Sequence, residues 1–282
     1  MTPQQKITQL LSQSESHTTR HNDVALSWQH WPGPDGERPL LLLHGGFGSW
    51  THWIANIPVL QKHRSVWTVD LPGLGNSADM PQPHSVEHFS SILQKGLNDL
   101  IAPEADFDLC GFSFGALIGS HLAAAAGDRC RHFIVCGAAG FGKLHVQVDL
   151  LRPPKAETSA QESISITSSN LRTLMFAGDT AVDDLSIYIH GDNLALSRFN
   201  SRRLARGDDF LAALPRISAK LCGIWGDQDA TAGGLEAIAE REVLFKRAQP
   251  EASFYVLPGV GHWAMYEDAD NFNCIVEAQL LS

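Results

Sequence analysis

The chain has 282 residues, 44% of them hydrophobic and 18% charged, with a formal net charge of -10. That apolar mass suffices for one large domain, or for a core domain carrying an insertion. The acidic balance argues against nucleic acid or an anionic membrane as the main partner, since both need clustered Lys and Arg.

The N-terminal stretch MTPQQKITQLLSQSESHTTR has a short apolar patch but no hydrophobic core of a signal peptide. No run reaches the roughly 18 apolar residues of a membrane span, so a cytoplasmic protein is expected. Residues 24–31, VALSWQHW, alternate as a half-buried strand does, and PGPDGERP then turns. LLLLHGG at 40–46 is a continuous apolar run that suits a strand buried on both faces. The same design recurs at 65–73, 107–113, 132–137, 220–226 and 253–259. Between these runs lie helical patterns at 50–63, 85–101 and 114–127. Buried strands alternating with helices predict an α/β protein with a mostly parallel sheet covered on both faces.

The alternation stops after Cys136. Residues 140–218 are polar and helix-leaning, too long for an ordinary connection, and predict an inserted helical subdomain. The expected organisation is therefore core at 1–139, helical cap at 140–218 and core again at 219–282. Of the cysteines at 110, 130, 136, 222 and 274, Cys110, Cys136 and Cys222 lie inside strand-like runs. With an odd count and no C-x-x-C pair, reduced thiols are expected. No metal-binding cluster or phosphate-binding loop is visible, so neither metal nor cofactor is expected.

Ser113 lies between Gly111 and Gly115, after the run FDLC and before FGALIGSHLAAAAG. A serine on a sharp strand-to-helix turn presents its hydroxyl, and side chains two residues away on either side would clash. The hydroxyl needs a base, and His262 stands on a glycine-rich loop directly after the last strand. The base needs an acceptor, and Asp227 and Asp229 both follow the strand at 220–226, where either could instead cap a helix.

The ordered segments LLLLHGGFGSW, VDLPGLGNS, GFSFGA, WGDQDA and GVGHWAMYEDA resemble the α/β-hydrolase superfamily, in its capped esterase and C–C-bond hydrolase branch. The resemblance covers nearly all of the chain outside 140–218. It implies a catalytic triad of Ser113, Asp229 and His262, with Asp227 as the second choice of acid. It also implies an oxyanion hole formed by the backbone N–H of Phe114 and of Gly46, or else Phe47. His44 and Asp70 are expected to fix loop geometry. The branch's C–C-bond hydrolases act on ring-cleavage dienoates and often carry Asn before and Met after the serine. Here those positions hold Phe112 and Phe114. A small carboxylic ester hydrolase is the reading that follows; a C–C-bond hydrolase and a ligand-sensing protein of the same fold are the alternatives.

The cap is expected to shape the pocket. Its Arg198, Arg202, Arg203 and Arg206 suggest either a solvated basic face or an inward arginine that holds a substrate carboxylate. Phe47, Trp50, Trp53, Phe112, Phe114 and Trp263 cluster around the motifs and predict a largely apolar pocket wall for a small-molecule substrate.

Overall fold

The computed structural model describes residues 1–146, 148–152, 157–178 and 182–281. The strands are β1 (Glu15–His21), β2 (Val24–Trp31), β3 (Leu40–Leu43), β4 (Val66–Val69), β5 (Phe107–Phe112), β6 (Cys130–Cys136), β7 (Lys220–Gly226) and β8 (Ser253–Leu257). They form one eight-stranded sheet in the order β1-β2-β4-β3-β5-β6-β7-β8. β1 and β2 pair antiparallel, as do β2 and β4; every other neighbouring pair is parallel.

The main helices around the sheet are α1 (Pro3–Leu11), α2 (Ile57–Leu60), α3 (Val86–Leu100) and α4 (Phe114–Ala126). They continue with α5 (Ala160–Leu174), α6 (Asp184–Ala195), α7 (Arg202–Ala205) and α8 (Asp209–Ala213). The chain closes with α9 (Leu235–Ala248), α10 (Ala264–Glu267) and α11 (Ala269–Leu280). Residues 50–63 do not form the continuous helix their pattern suggests. A 3-10 turn at Trp50–Trp53 is followed by the four-residue α2, which carries a proline at its start. That proline, Pro58, cannot donate a helical N–H and separates the two pieces.

The period of two along the strands sorts their side chains into two cores. Leu41 and Leu43 join Leu109, Phe133 and helices α3 and α4 on one face. Leu40 and Leu42 join Cys110, Phe112, Ile134 and the α11 side on the other. β1 was not evident from sequence because it is a polar edge strand. Asn22 and Asp23, both at positive φ, make the two-residue turn into β2.

Residues 140–218 hold helices and no strand among the described residues. Residues 147, 153–156 and 179–181 of that segment lie outside the described residues. α5 starts at the N-cap Ser159, and α6 is held by a capping box between Asp183 and Ser186. α5 packs on α6, and α6 on α1. Further along, Phe199, Phe210, Leu214 and Ile217 join the same core as Leu41 and Phe133. The segment thus leaves the sheet after β6 and is already anchored to it again before β7.

Candidate active site

Ser113 stands between β5 and α4 with φ 51° and ψ -113°, a conformation that L residues rarely adopt. It persists because the surroundings over-determine it. The Ser113 N–H donates to Cys136 O at 2.9 Å, and its carbonyl accepts from Leu117 N at 3.1 Å and Ala139 N at 3.2 Å. A methyl group at Gly111 would lie 2.6 Å from Ala116 Cα, and one at Gly115 would collide with the carbonyls of Leu43 and His44. Only glycine lets the helix sit this close under β3.

His262 Nε2 lies 3.1 Å from Ser113 Oγ, and His262 Nδ1 lies 2.8 Å from Asp229 Oδ2. The other oxygen of Asp229 accepts from Thr231 N and Thr231 Oγ1, both at 2.8 Å. Burial pushes the Asp229 carboxyl up, but His262 and the Thr231 hydrogen bonds outweigh it and hold the carboxyl below its ordinary value. Asp229 is thus an ionised, fully engaged acceptor for the imidazole. Asp227 points elsewhere and accepts from Gly259 N at 2.7 Å, bracing the turn after β8.

The loop after β3 lies against the serine. A methyl group on Gly45 would meet the Phe112 ring at 2.8 Å and Ser113 Cβ at 3.3 Å; one on Gly46 would lie 3.7 Å from Phe114 Cβ. The backbone N–H groups of Gly46 and Phe114 therefore belong to adjoining residues beside Ser113. Phe114 opens α4, where first-turn N–H groups have no helical acceptor and the dipole is positive. Two buried histidines set this loop. His44 Nδ1 donates to Gly45 O at 2.8 Å, its Nε2 accepts from Leu71 N at 2.9 Å, and His52 Nδ1 accepts from Gly45 N at 3.2 Å. Burial lowers His44 to about 4 and His52 well below the ordinary imidazole value, so both serve as neutral struts. Asp70 accepts from Trp50 N at 3.0 Å and Asn76 N at 2.9 Å, and burial raises its carboxyl to about 6.

Ser113 and His262 open into a cavity of about 410 Å³. Its wall is mostly apolar, with Phe112, Phe114, Leu174 and Met175 among the residues that line it. Of the six expected aromatics, Phe47, Phe112 and Phe114 line this cavity, but Trp50, Trp53 and Trp263 do not. Trp50 packs on Trp31, Trp53 on Phe272, and Trp263 on Phe176 and Tyr266, so these indoles support the loops from behind. Arg202 and Arg206 line the cavity, Arg203 lines a separate hollow with His84 and Phe199, and Arg198 is committed to an ion pair with Asp79.

Several contributors escaped the sequence reading. Thr231 orients Asp229, and Glu267 accepts from Gly261 N at 2.7 Å and Ala177 N at 2.9 Å, tying the His262 loop to the end of α5. His190 and His145 line the cavity as well, each lowered to about 4, chiefly by burial. None of these four stands in a recognisable motif; Thr231 Oγ1 also lies 3.2 Å from His262 Nδ1, 31 residues on, and the Ala177 that Glu267 holds is 90 residues back.

A sequence profile of the alpha/beta hydrolase family matches residues 40–273, and the chain belongs to that family. It is 27% identical over 256 residues to the dihydrolipoyllysine-residue acetyltransferase component of the acetoin cleaving system of Pseudomonas putida, covering 86% of this chain and 63% of that protein. It is 24% identical over 250 residues to the 2-hydroxy-6-oxononadienedioate/2-hydroxy-6-oxononatrienedioate hydrolase of Comamonas testosteroni, covering 83% of this chain and 84% of that protein. The solved meta-cleavage product hydrolase of Pseudomonas fluorescens superposes with a TM-score of 0.74 at 19% identity, covering 94% and 97% of the two chains. At that identity the superposition speaks for the fold. No helix among the described residues is long and apolar enough to cross a membrane.

Proposed function

We propose that this protein is a serine hydrolase that cleaves small carboxylic esters through an acyl-enzyme, with Ser113, His262 and Asp229 as its triad. The observation that carries the reading is the relay from Asp229 Oδ2 to His262 Nδ1 at 2.8 Å and from His262 Nε2 to Ser113 Oγ at 3.1 Å, opening into the cavity. In the first step Ser113 Oγ attacks the carbonyl carbon while His262 Nε2 takes the hydroxyl proton, and Asp229 steadies the imidazolium. The carbonyl oxygen gains negative charge, received by the N–H groups of Gly46 and Phe114; one such donor is worth about 3 kcal/mol. The tetrahedral adduct collapses, and His262 hands its proton to the departing alkoxide. A water then enters by the same route, with His262 as base, and frees the acid and Ser113.

The α5–α6 part of residues 140–218 acts in this reading as a cap that selects the substrate, because Leu174, Met175 and His190 reach the cavity. Its apolar wall suits a short acyl chain or an aryl group. C–C-bond hydrolysis is the second reading, favoured by the 24% identity to a dienoate hydrolase across most of both chains and by the arginines at the cavity. A panel of aryl esters of graded acyl length beside a ring-cleavage dienoate separates the two. The ester reading expects multiple turnover on at least one short ester and little on the dienoate; the reverse ranking moves the assignment to C–C cleavage. Stoichiometric reaction without turnover on either would instead point to a ligand sensor.

A further inference from the structure

Glu15 and His17 are two residues apart on β1 and so share a face of the strand. The register sets Glu15 opposite His30 on β2, and His30 in turn opposite Trp67 on β4. Three metal-ligating side chains therefore meet over one tryptophan. Glu15 Oε2 lies 3.1 Å from His30 Nδ1 and 3.7 Å from His17 Nε2, and the three donor atoms all fall within 4.8 Å of one another. Around a tetrahedral ion with ligands at about 2.0–2.2 Å, neighbouring donor atoms sit roughly 3.4 Å apart. The measured separations bracket that value.

The surroundings favour coordination. His30 Nε2 lies 3.0 Å from Ser65 Oγ; when that hydroxyl accepts the Nε2 proton, the Nδ1 lone pair faces Glu15. His17 Nε2 is buried and has no hydrogen-bond partner, which is costly for a polar ring atom. Both rings lean on Trp67, His30 stacked at 4.1 Å and His17 tilted at 5.2 Å, and this narrows their rotamers. Two imidazoles and one carboxylate suit zinc and its divalent transition-metal neighbours better than Mg²⁺ or Ca²⁺, which prefer oxygen alone.

We propose that Glu15, His17 and His30 bind a zinc-class divalent transition-metal ion, which cross-links β1 to β2 and stabilises this edge of the sheet. The site is separate from the hydrolytic centre. His30 pairs near the start of β4, whereas Ser113 follows the end of β5, and the parallel register of β3 with both puts these at opposite ends of the sheet. The group of Glu87, His121 and Asp209 is a weaker candidate and serves as a control, because His121 Nε2 is already 3.0 Å from the backbone oxygen of Asp209.

The test uses the full chain, treated with chelator and then titrated with Zn²⁺ by calorimetry and with Co²⁺ by visible absorption. The site predicts one Zn²⁺ per chain, a higher Tm when loaded, and tetrahedral Co²⁺ bands. His17→Ala and Glu15→Gln should each weaken binding by about tenfold or more, with ester hydrolysis unchanged to show that they fold. Glu87→Gln should bind as the wild type does. Absence of saturable Zn²⁺ uptake overturns the proposal, as does binding that survives both His17→Ala and Glu15→Gln.

Discussion

Glu267 accepts the N–H of Gly261 at 2.7 Å, so the residue next to His262 is held by a carboxylate that also grips Ala177 beyond α5. The His262 loop and the inserted segment thus share one anchor. Glu267→Gln keeps the size but removes the charge and leaves one acceptor oxygen for the two N–H groups that now share the carboxylate. Unfolding free energy should drop by about 1.5 to 3 kcal/mol, as for a charged hydrogen bond. kcat should fall with KM little changed, because His262 loses its orientation while the cavity wall keeps its shape. A KM-dominated loss would show that the contact shapes the cavity instead.

The two aspartates after β7 have different surroundings and should answer differently. Asp229→Asn should lower kcat by about 10⁴-fold, since an amide no longer favours the productive imidazole tautomer. Asp227→Asn can still accept from Gly259 N and should cost far less. Steady-state kinetics of the pair decides, and a larger loss at Asp227 contradicts the assignment.

The chain's response to acid follows from its buried histidines. His44 and His190 are lowered to about 4 and His52 well below the ordinary value, in each case first by burial. Below about pH 6.5 the unfolded chain takes up protons on these rings that the folded protein refuses. Their contribution to stability is complete above that pH and is lost as pH falls toward 4, at up to about 1.4 kcal/mol per pH unit for each ring. Asp70, raised to about 6 by burial, works in the opposite sense. The fold keeps its proton between about pH 6 and pH 4 while the unfolded chain releases it, so this group regains stability as pH falls. Urea unfolding at pH 7 and pH 5 should show a net loss in acid. In His190→Gln that loss should shrink by roughly 2 kcal/mol; an unchanged loss would mean that His190 does not stay neutral in the fold.

The arginines of the inserted segment divide by what they touch. Arg198 Nε donates to Asp79 Oδ1 at 2.7 Å, and its other nitrogens donate to the carbonyls of Gly75, Ser77 and Leu196. Arg202 lies over the Phe47 ring at 5.7 Å and, with Arg206, lines the cavity. Arg198→Ala should therefore lower Tm without altering substrate preference. Arg202→Ala or Arg206→Ala should raise KM tenfold to a hundredfold for a carboxylate-bearing substrate, about 1.5 to 3 kcal/mol, and spare a neutral aryl ester. Equal effects on both substrates would leave these two as surface charge.

These tests also mark what a linear reading can reach. Ser113 and its two glycines were legible because the steric demand of the turn is written within five residues. The parallel strands were legible because burial on both faces leaves unbroken apolar runs, as in the four leucines of β3. Glu15–His21 was not, since an edge strand needs no apolar face and this one carries Ser, Thr and His. Thr231 and Glu267 escaped for a different reason. Thr231 Oγ1 lies 3.2 Å from His262 Nδ1 and Glu267 accepts from Ala177 N at 2.9 Å, contacts across 31 and 90 residues that form only once the loops after β7 and β8 and the end of α5 have come together.

The most direct test of the central claim is covalent labelling at Ser113. A fluorophosphonate should add once to the wild-type chain, and peptide mapping should place the adduct on Ser113. Ser113→Ala should fold with the same Tm, take no label, and lose about 10⁴-fold to 10⁶-fold in kcat. An adduct on another residue, or an alanine variant that keeps most of its activity, would contradict the account.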